Sequence, residues 1–214
     1  DRFNQRRAAS EKVQKEAASS SASERVSDQL SALQQLMESE GYIISTAELA
    51  NFYLALMVSP LVILSGISGT GKSLLPRKFA QHTEAEFNSI PVQPQWSDNS
   101  DLFGYVPTLS PTEFVEGALI DSIIKAKSNP NKLCLVLLDE MNLAPVEHYF
   151  SDFLSVIETR RRKNSEIITD PLPIDLPKGH SGSEEKFRHL VGIHLPNNIR
   201  VVGTANMDES THSF

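Results

Sequence analysis

One short stretch of this chain has the residue types and spacing of a loop that binds phosphate groups. Residues 66–73, which we call the phosphate loop, read Gly-Ile-Ser-Gly-Thr-Gly-Lys-Ser and fit the pattern G-x-x-x-x-G-K-[ST] in full. Its glycines allow the backbone to wrap so that successive N–H groups point at phosphate oxygens. Lys72 is expected to reach the β- and γ-phosphates of a nucleotide, and the Ser73 hydroxyl to bind Mg²⁺. The residues predicted to contact the nucleotide are Gly66, Ile67, Ser68, Gly69, Thr70, Gly71, Lys72, Ser73 and Leu74.

A pair of acidic residues follows a second stretch that reads as a buried strand. Residues 133–138 form an unbroken apolar run, and Asp139 and Glu140 come directly after it. The pair alone is weak support for a site, because acids often end strands at the solvent edge. Since it follows the phosphate loop after an intervening strand–helix unit, we expect Asp139 to hold Mg²⁺, directly or through water. Glu140 is expected to polarise an attacking water as a general base.

A polar residue, Asn206, also follows the last apolar run of the chain. Residues 199–204 are rich in β-forming side chains and lead into it. An amide at the carboxyl end of a neighbouring strand can hydrogen-bond both a γ-phosphate and the attacking water. The alternative is an Asn that only forms a turn, which is common. The sequence thus predicts three catalytic residues, Lys72, Glu140 and Asn206, and two ligands of Mg²⁺, Ser73 and Asp139.

The elements that must position these residues alternate between strand and helix. Apolar β-prone runs predict strands at 61–64, 87–92, 133–138 and 199–204. Helical spacing and end signals predict helices at 45–59, 74–83, 118–127 and 145–162. Such alternation predicts an α/β fold with a parallel sheet.

Two stretches do not follow the alternation. Residues 93–105 are polar and are expected to form a loop or a broken helix. Residues 163–198 are rich in proline and are expected to be an insertion with a hairpin, with β-like pieces at 166–169 and 190–194. The basic run at 160–163 is interpreted as a solvated helix end that complements the helix dipole. A contact with a neighbouring subunit or with nucleic acid is the alternative.

The amino-terminal residues differ in composition from the rest of the chain. Residues 1–40 are rich in Ala, Ser, Gln, Glu and Lys, which predicts a polar tether. The tether ends in an amphipathic helix whose apolar residues are Val26, Leu30, Leu33, Leu36 and Met37. Gly41 is expected to end this helix, and Ser45 with Glu48 to form a capping box at the start of the next. The predicted organisation is therefore a tether at 1–40 and a nucleotide-binding core at 41–214.

Composition and charge limit the classes of function. The 214 residues carry 20 basic and 27 acidic side chains, a net charge of −7, and the charges balance within residues 1–38. An acidic body argues against broad electrostatic binding of nucleic acid. The single cysteine, Cys134, lies in an apolar run and is expected to be a packed core residue, which fits a cytoplasmic protein. The apolar run at 54–67 is too interrupted to predict a membrane span.

Taken together, these motifs resemble the AAA+ ATPase domain, and within it the McrB-type branch, near the MoxR and dynein-like ATPases. The resemblance covers about residues 42–214 and rests on the phosphate loop and on three further stretches: 138–144 (LDEMNLA), 156–158 (VIE) and 196–208 (PNNIRVVGTANMD).

The resemblance implies a three-layer α/β P-loop fold with a parallel five-stranded sheet. Lys72 and Ser73 match the Walker A positions, Asp139 and Glu140 the Walker B positions, and Asn206 the sensor-1 position. It further implies Mg²⁺ and ATP or GTP as cofactors, with ATP favoured by its frequency in the superfamily. Residues 98–105 resemble an insertion that faces the ring pore, and residues 163–198 would hold the hairpin before sensor 1. The helical lid, its second sensor and the arginine finger are expected after Phe214.

The function that follows is Mg²⁺-dependent binding and hydrolysis of a nucleoside triphosphate. Hydrolysis would drive a homo-oligomeric ring, commonly a hexamer, that remodels or translocates a partner or polymer. A restriction or defence complex with a nuclease or other effector subunit is one setting, with nucleic acid contacted through other domains. One alternative is a nucleotide-gated assembly module that hydrolyses slowly or not at all. Another is a nucleic-acid-binding protein whose contacts lie within this chain.

Overall fold

The computed structural model describes residues 24–164, 166–177 and 183–207. Several sequence expectations lie outside these residues: the tether up to residue 23, part of the 163–198 insertion, and the stretch from Asp208 onward. The chain divides into two compact units, residues 1–54 and residues 55–214.

The secondary structure follows the predicted alternation. Its helices are α1 (24–39), α2 (Thr46–Val58), α3 (Leu74–His82), α4 (Ser100–Phe103), α5 (Ile120–Ser128), α6 (Val146–Tyr149), α7 (Ser151–Glu158) and α8 (Ser183–Lys186). Its strands are β1 (Leu61–Gly66), β2 (Glu86–Pro91), β3 (Gly104–Tyr105), β4 (Val115–Glu116), β5 (Cys134–Asp139), β6 (Arg161–Lys163), β7 (Glu166–Ile168) and β8 (Ile199–Asn206). Short 3₁₀ turns lie at Met141–Leu143 and Arg188–Leu190.

The first unit holds α1 and the beginning of α2. Leu30, Leu33 and Met37 of α1 are buried as predicted, whereas Leu36 is half exposed. The helix ends at Gly41, whose φ of 82° is in the left-handed region that glycine adopts without strain. There the Gly41 N–H donates to Glu38 O at 2.9 Å. The expected end signal is therefore confirmed by its geometry.

The capping box at the start of α2 is also present. The Glu48 N–H donates to Ser45 Oγ at 3.2 Å, and Glu48 Oε2 accepts the Ser45 N–H at 3.0 Å. Glu48 Oε2 also accepts the Ser45 hydroxyl at 2.6 Å, and these bonds lower the pKa of the exposed Glu48 carboxyl. Reciprocal bonds of this kind satisfy N–H groups that have no partner within the helix.

The second unit is built on a parallel sheet with the strand order β1-β8-β5-β2. Register pairs Gly66 with Asn206 and Pro91 with Asp139, at the last residue of each strand. The carboxyl ends of all four strands therefore meet at one edge of the sheet. The central strands β5 and β8 are almost wholly buried, whereas edge strand β1 alternates between half-buried and exposed residues. Apolar residues of α5 and α7 belong to the core that covers the sheet.

The α/β fold with a parallel sheet is confirmed, but the strand number differs. Four strands, not five, form the main sheet within the described residues. The four apolar runs of the sequence account for all four strands. The fifth strand had been inferred from the family resemblance and corresponds to no run in the described chain. Strand β1 consequently has a neighbour on one side only among these residues.

The prediction of a single helix at 145–162 is wrong, because the structure has two shorter helices there, α6 and α7. Phe150, with φ −114° and ψ −10°, separates α6 from α7, and the chain leaves the helix at Thr159. Tyr149, Phe150 and Phe153 are all buried, as positions i, i+1 and i+4 of one helix face, so the interruption at Phe150 leaves these aromatic side chains in the core. Thr159 Oγ1 accepts the Asp170 N–H at 2.7 Å, which directs the following residues into a strand rather than another helical turn.

The last three residues of the basic run therefore form β6, which pairs with β7 in an antiparallel hairpin, whereas Arg160 precedes the strand. Arg161 forms an ion pair with Asp170 at 2.7 Å, and all three residues of β6 are exposed. The interpretation of residues 160–163 as a helix end is wrong. The predicted insertion does take part in a hairpin, but this hairpin pairs residues 161–163 with 166–168 and so begins before residue 163. The second β-like piece, at 190–194, contributes only an isolated bridge between His194 and Pro171.

Candidate functional site

The phosphate loop connects β1 to α3 and is shaped by its glycines. Gly69 and Gly71 have φ values of 81° and 85°, which residues with a side chain adopt only with strain. The N–H groups of Leu74 and Leu75 both donate to Gly71 O, at 3.0 and 3.1 Å, so the loop leads directly into the first turn of α3. The first N–H groups of a helix have no internal acceptor and favour a negatively charged ligand.

Lys72 bends back over the loop that carries it. Its Nζ donates to Gly66 O at 2.9 Å and to Ile67 O at 2.6 Å. Thr70 also closes on the loop, since its hydroxyl donates to Ile67 O at 2.9 Å. The ammonium group of Lys72 thus lies over the loop, where it can attract a phosphate.

Ser73 connects the phosphate loop to the end of β5. Its hydroxyl donates to Asp139 Oδ1 at 2.5 Å, across 66 positions of sequence. Thr204 of β8 donates its hydroxyl to the same oxygen at 2.7 Å. The carboxylate is thus fixed between two hydroxyls, and the predicted ligands Ser73 and Asp139 lie in direct contact.

Glu140 leaves β5 in a left-handed conformation, with φ 57° and ψ 51°. This conformation is uncommon for a residue with a side chain and turns the chain sharply at the strand end. The Glu140 N–H donates to Thr204 Oγ1 at 2.9 Å, so a single hydroxyl serves both acidic residues. The Glu140 side chain is exposed, and its Oε1 accepts the Asn206 amide at 3.2 Å.

Asn142 lies in the turn after Glu140 and contacts the last residue of β8. Its Nδ2 donates to Asn206 O at 2.6 Å, and its Oδ1 accepts the Asn206 N–H at 3.1 Å. We call Asp139, Glu140, Asn142, Thr204 and Asn206 the β5–β8 corner.

Close packing holds the turn of the β5–β8 corner against β8. A Cβ atom on Gly203 would lie 1.9 Å from Met141 Sδ, so a side chain here would displace Met141 from its present position. The Tyr149 hydroxyl donates to Met141 O at 2.9 Å, and burial raises the pKa of Tyr149. Trp96 is buried and packs its ring edge-on against Tyr149, with ring centroids 5.2 Å apart.

The structure brings the predicted residues to one edge of the sheet. Residues 66–74 surround the start of α3, and Asp139, Glu140 and Asn206 lie at the adjacent strand ends. Within the described residues, no group of three or more His, Cys, Asp or Glu side chains could hold a metal ion. The Ser73 hydroxyl and the Asp139 carboxylate lie in contact at this edge and are oxygen groups of the kind that bind a hard cation.

The sequence did not lead to a predicted role for two residues of the corner. Thr204 and Asn142 lie within recognised motif stretches, but no contact was predicted for either. The contact of Thr204 follows from the register that the structure shows, because Leu138 pairs with Gly203 and the next residues, Asp139 and Thr204, are then neighbours. Nothing in the sequence indicates that Asn142 contacts a backbone rather than solvent.

None of the helices in the described stretches has the length and apolar content needed to span a membrane.

Comparison with known proteins places the chain among nucleotide-binding domains. Residues 61–213 match the AAA domain family, dynein-related subfamily. The chain is 23% identical over 150 residues to the Type IV methyl-directed restriction enzyme EcoKMcrB subunit of Escherichia coli strain K12. That match covers 68% of this chain and 30% of the relative, so the chain spans less than a third of the relative's length.

A solved structure of a candidate ATPase from Cytophaga hutchinsonii ATCC 33406 is also similar, with 18% identity and a TM-score of 0.45. The match covers 90% of this chain and 49% of that one. The family match extends over most of the present chain and includes the phosphate loop, the acidic pair and the terminal Asn of β8. The chain therefore belongs to the AAA domain family, in its dynein-related subfamily.

Proposed function

We propose that this chain binds a nucleoside triphosphate with Mg²⁺ and hydrolyses its γ-phosphate, with ATP as the nucleotide. One observation carries the proposal. The Ser73 hydroxyl of the phosphate loop contacts Asp139 at 2.5 Å, while Glu140 and Asn206 contact each other at 3.2 Å beside it. A phosphate-binding loop and a candidate water-activating carboxylate thus lie at the same sheet edge, as hydrolysis requires.

Each residue has a role in this proposal. N–H groups of the loop hold the β- and γ-phosphates, and Lys72 exchanges its carbonyl partners for phosphate oxygens. Glu140 accepts a proton from the attacking water, and its exposed side chain leaves room for that water. Asn206 donates its amide to Glu140 in the structure and is close enough to orient the same water or the γ-phosphate.

The residues at the sheet edge fit Mg²⁺. Magnesium prefers hard oxygen ligands and takes few from the protein, with waters and phosphate oxygens completing its shell. The Ser73 hydroxyl and the Asp139 carboxylate supply one such pair in contact. When bound, the ion would neutralise charge that develops on the phosphates.

We further propose that the chain acts in a homo-oligomeric ring that remodels or translocates a partner. Family membership supports this setting, because a nucleotide between subunits can couple hydrolysis to motion. The similarity to a restriction enzyme subunit supports a defence complex with a nuclease or other effector as the partner. We propose a cytoplasmic location. Contacts with nucleic acid are assigned to other domains because the body of this chain is acidic.

The test replaces the proposed general base in the full chain. Glu140→Gln keeps the size and hydrogen-bonding capacity of the side chain but removes its basicity. Turnover should fall by at least ~100-fold, while the Kd for ATP with Mg²⁺ stays within ~3-fold of the wild-type value because Glu140 does not lie in the phosphate loop. Phosphate release and fluorescent-nucleotide titration measure the two quantities.

Three outcomes of this test are informative. Wild-type turnover that the substitution leaves unchanged removes Glu140 from the mechanism. Binding without turnover in the wild-type chain, even when the ring is assembled, supports the nucleotide-gated module instead. No binding of ATP or GTP at millimolar concentration contradicts the proposal as a whole.

A further inference from the structure

Asn206 needs a fixed backbone if its side chain is to reach Glu140. On one side β1 supports it, since Gly66 is its register partner and the Met207 N–H donates to Gly66 O at 3.2 Å. On the other side β5 gives no such support. Pairing between β5 and β8 stops at Leu138 and Gly203, and the chain turns away at Glu140.

The side chain of Asn142 occupies the place that β5 leaves. Its amide group donates to Asn206 O at 2.6 Å and accepts from the Asn206 N–H at 3.1 Å. Together these are the two bonds that a residue of an antiparallel partner strand exchanges with its opposite residue, and here one carboxamide makes both. Asn142 is only 2% exposed, so water cannot readily replace either bond.

We propose that Asn142 is a positioning residue for nucleotide hydrolysis, acting by holding the backbone of Asn206 so that its side-chain amide meets Glu140. The inference rests on the proposed function. Asn142 itself contacts neither Glu140 nor the phosphate loop in any described hydrogen bond, and its effect on the reaction passes through Asn206.

The chemistry of the contact requires an amide. An Asp at position 142 keeps an acceptor for the Asn206 N–H but sets a carboxylate against the Asn206 carbonyl oxygen. An Ala leaves both backbone groups of Asn206 without this partner at a half-buried position. Either change frees the last residue of β8 to vary its backbone direction, and the side-chain amide of Asn206 moves with it.

A matched control exists in the same turn. The Tyr149 hydroxyl donates to Met141 O, one residue before Asn142, and touches neither Glu140 nor Asn206 in any described bond. Tyr149→Phe removes one buried hydrogen bond from the turn and keeps the ring. It therefore reports what general loosening of this turn does to activity.

The experiment is a kinetic double-mutant cycle in the full chain with Asn142→Ala, Asn206→Ala and both together. If Asn142 acts through Asn206, the double variant turns over no more slowly than Asn206→Ala alone, within ~3-fold. Asn142→Ala by itself should lower kcat by ~10-fold or more, whereas Tyr149→Phe should stay within ~3-fold of wild type. Effects that multiply in the double variant would show a role independent of Asn206 and overturn the proposal.

Hydrogen exchange gives a readout that does not need activity. Exchange of the Asn206 backbone N–H should accelerate by at least ~10-fold in Asn142→Ala and not in Tyr149→Phe. Unchanged protection of this N–H in Asn142→Ala overturns the proposal even if kcat falls. Asn142→Asp should accelerate exchange less than Asn142→Ala, because its carboxylate retains an acceptor.

The reference variant Glu140→Gln separates the two levels of inference. If wild-type protein hydrolyses ATP, Glu140→Gln does not, and Asn142→Ala matches wild type, the positioning role fails while the proposed function stands. If wild-type protein neither binds nor hydrolyses ATP, the proposed function fails, and the exchange measurement still decides whether Asn142 holds Asn206.

Discussion

The phosphate loop and the β5–β8 corner form the two halves of the candidate site, and they are built in different ways. The loop follows an edge strand that is half exposed, and backbone conformation shapes it, with Gly69 and Gly71 at positive φ. The corner follows two buried strands, and its polar side chains are fixed by bonds to one another and to backbone groups.

The difference between the two halves shows where residues that serve function also stabilise the fold. Side chains of the loop are exposed or half-buried, so Lys72 can change its partners when a ligand arrives at little cost to the fold. In the corner, Thr204 and Asn142 are each 2% exposed, and their hydrogen bonds hold the strand ends together. Substitutions in the loop should therefore affect nucleotide binding and turnover but not stability, whereas those in the corner should affect both turnover and stability.

The largest effect is expected for a substitution in the phosphate loop. Lys72→Ala should weaken binding of ATP with Mg²⁺ by about 100-fold, because it removes charge-assisted hydrogen bonds to phosphate. The free energy of unfolding should change by less than ~0.5 kcal/mol, since Lys72 is only partly buried. Titration calorimetry and urea unfolding measure the two quantities. Lys127→Ala, at an exposed site on α5, controls for the loss of one positive charge.

A smaller effect is expected for a substitution in the β5–β8 corner, and here the effect includes a loss of stability. Thr204→Val keeps the shape but removes the hydroxyl that serves Asp139 and the Glu140 N–H. The free energy of unfolding should fall by about 1–3 kcal/mol, the cost of a buried donor left unpaired. Thr204→Ser retains the hydroxyl and should recover most of the loss. Stability equal to wild type in Thr204→Val would contradict the distinction between the halves.

The smallest effect is expected at Cys134 and tests how well β5 is shielded from water. Burial, with a further contribution from Glu86, raises the pKa of Cys134, at the first residue of β5, from 9.0 to about 11. The folded chain keeps this proton at a pH where the unfolded chain releases it, so stability is lost as pH rises from 9 to 11. The midpoint of the unfolding transition, followed by circular dichroism, should fall more between pH 9 and pH 11 in wild type than in Cys134→Ala. Equal slopes would mean that β5 admits water.

The same contrast explains what could be predicted from the sequence. The phosphate loop was predicted residue by residue, because its conformation depends on local glycines and its motif is contiguous. Strands β1, β2, β5 and β8 were also predicted to within about two residues, since parallel buried strands read as unbroken apolar runs. Both features depend on neighbours along the chain.

Errors in prediction occurred where distant contacts decide the conformation. The helix predicted at 145–162 ends at Glu158 because the next residue, Thr159, accepts the Asp170 N–H from the other side of the hairpin. The basic run at 160–163 enters a strand because Asp170 and Thr159 bond across the hairpin. Local propensity favoured a helix in both places, and tertiary packing overrode it.

The sequence by itself determined the fold class, the order in which the motifs follow the parallel strands, and the side chains available at the strand ends. Only the tertiary structure decided which groups these side chains contact: Ser73 contacts Asp139, Thr204 contacts the Asp139 carboxylate and the Glu140 N–H, and Asn142 contacts the backbone of Asn206. The physical reason is that a hydrogen bond between strand ends depends on register and on one left-handed residue, Glu140, neither of which leaves a periodic signal in the sequence.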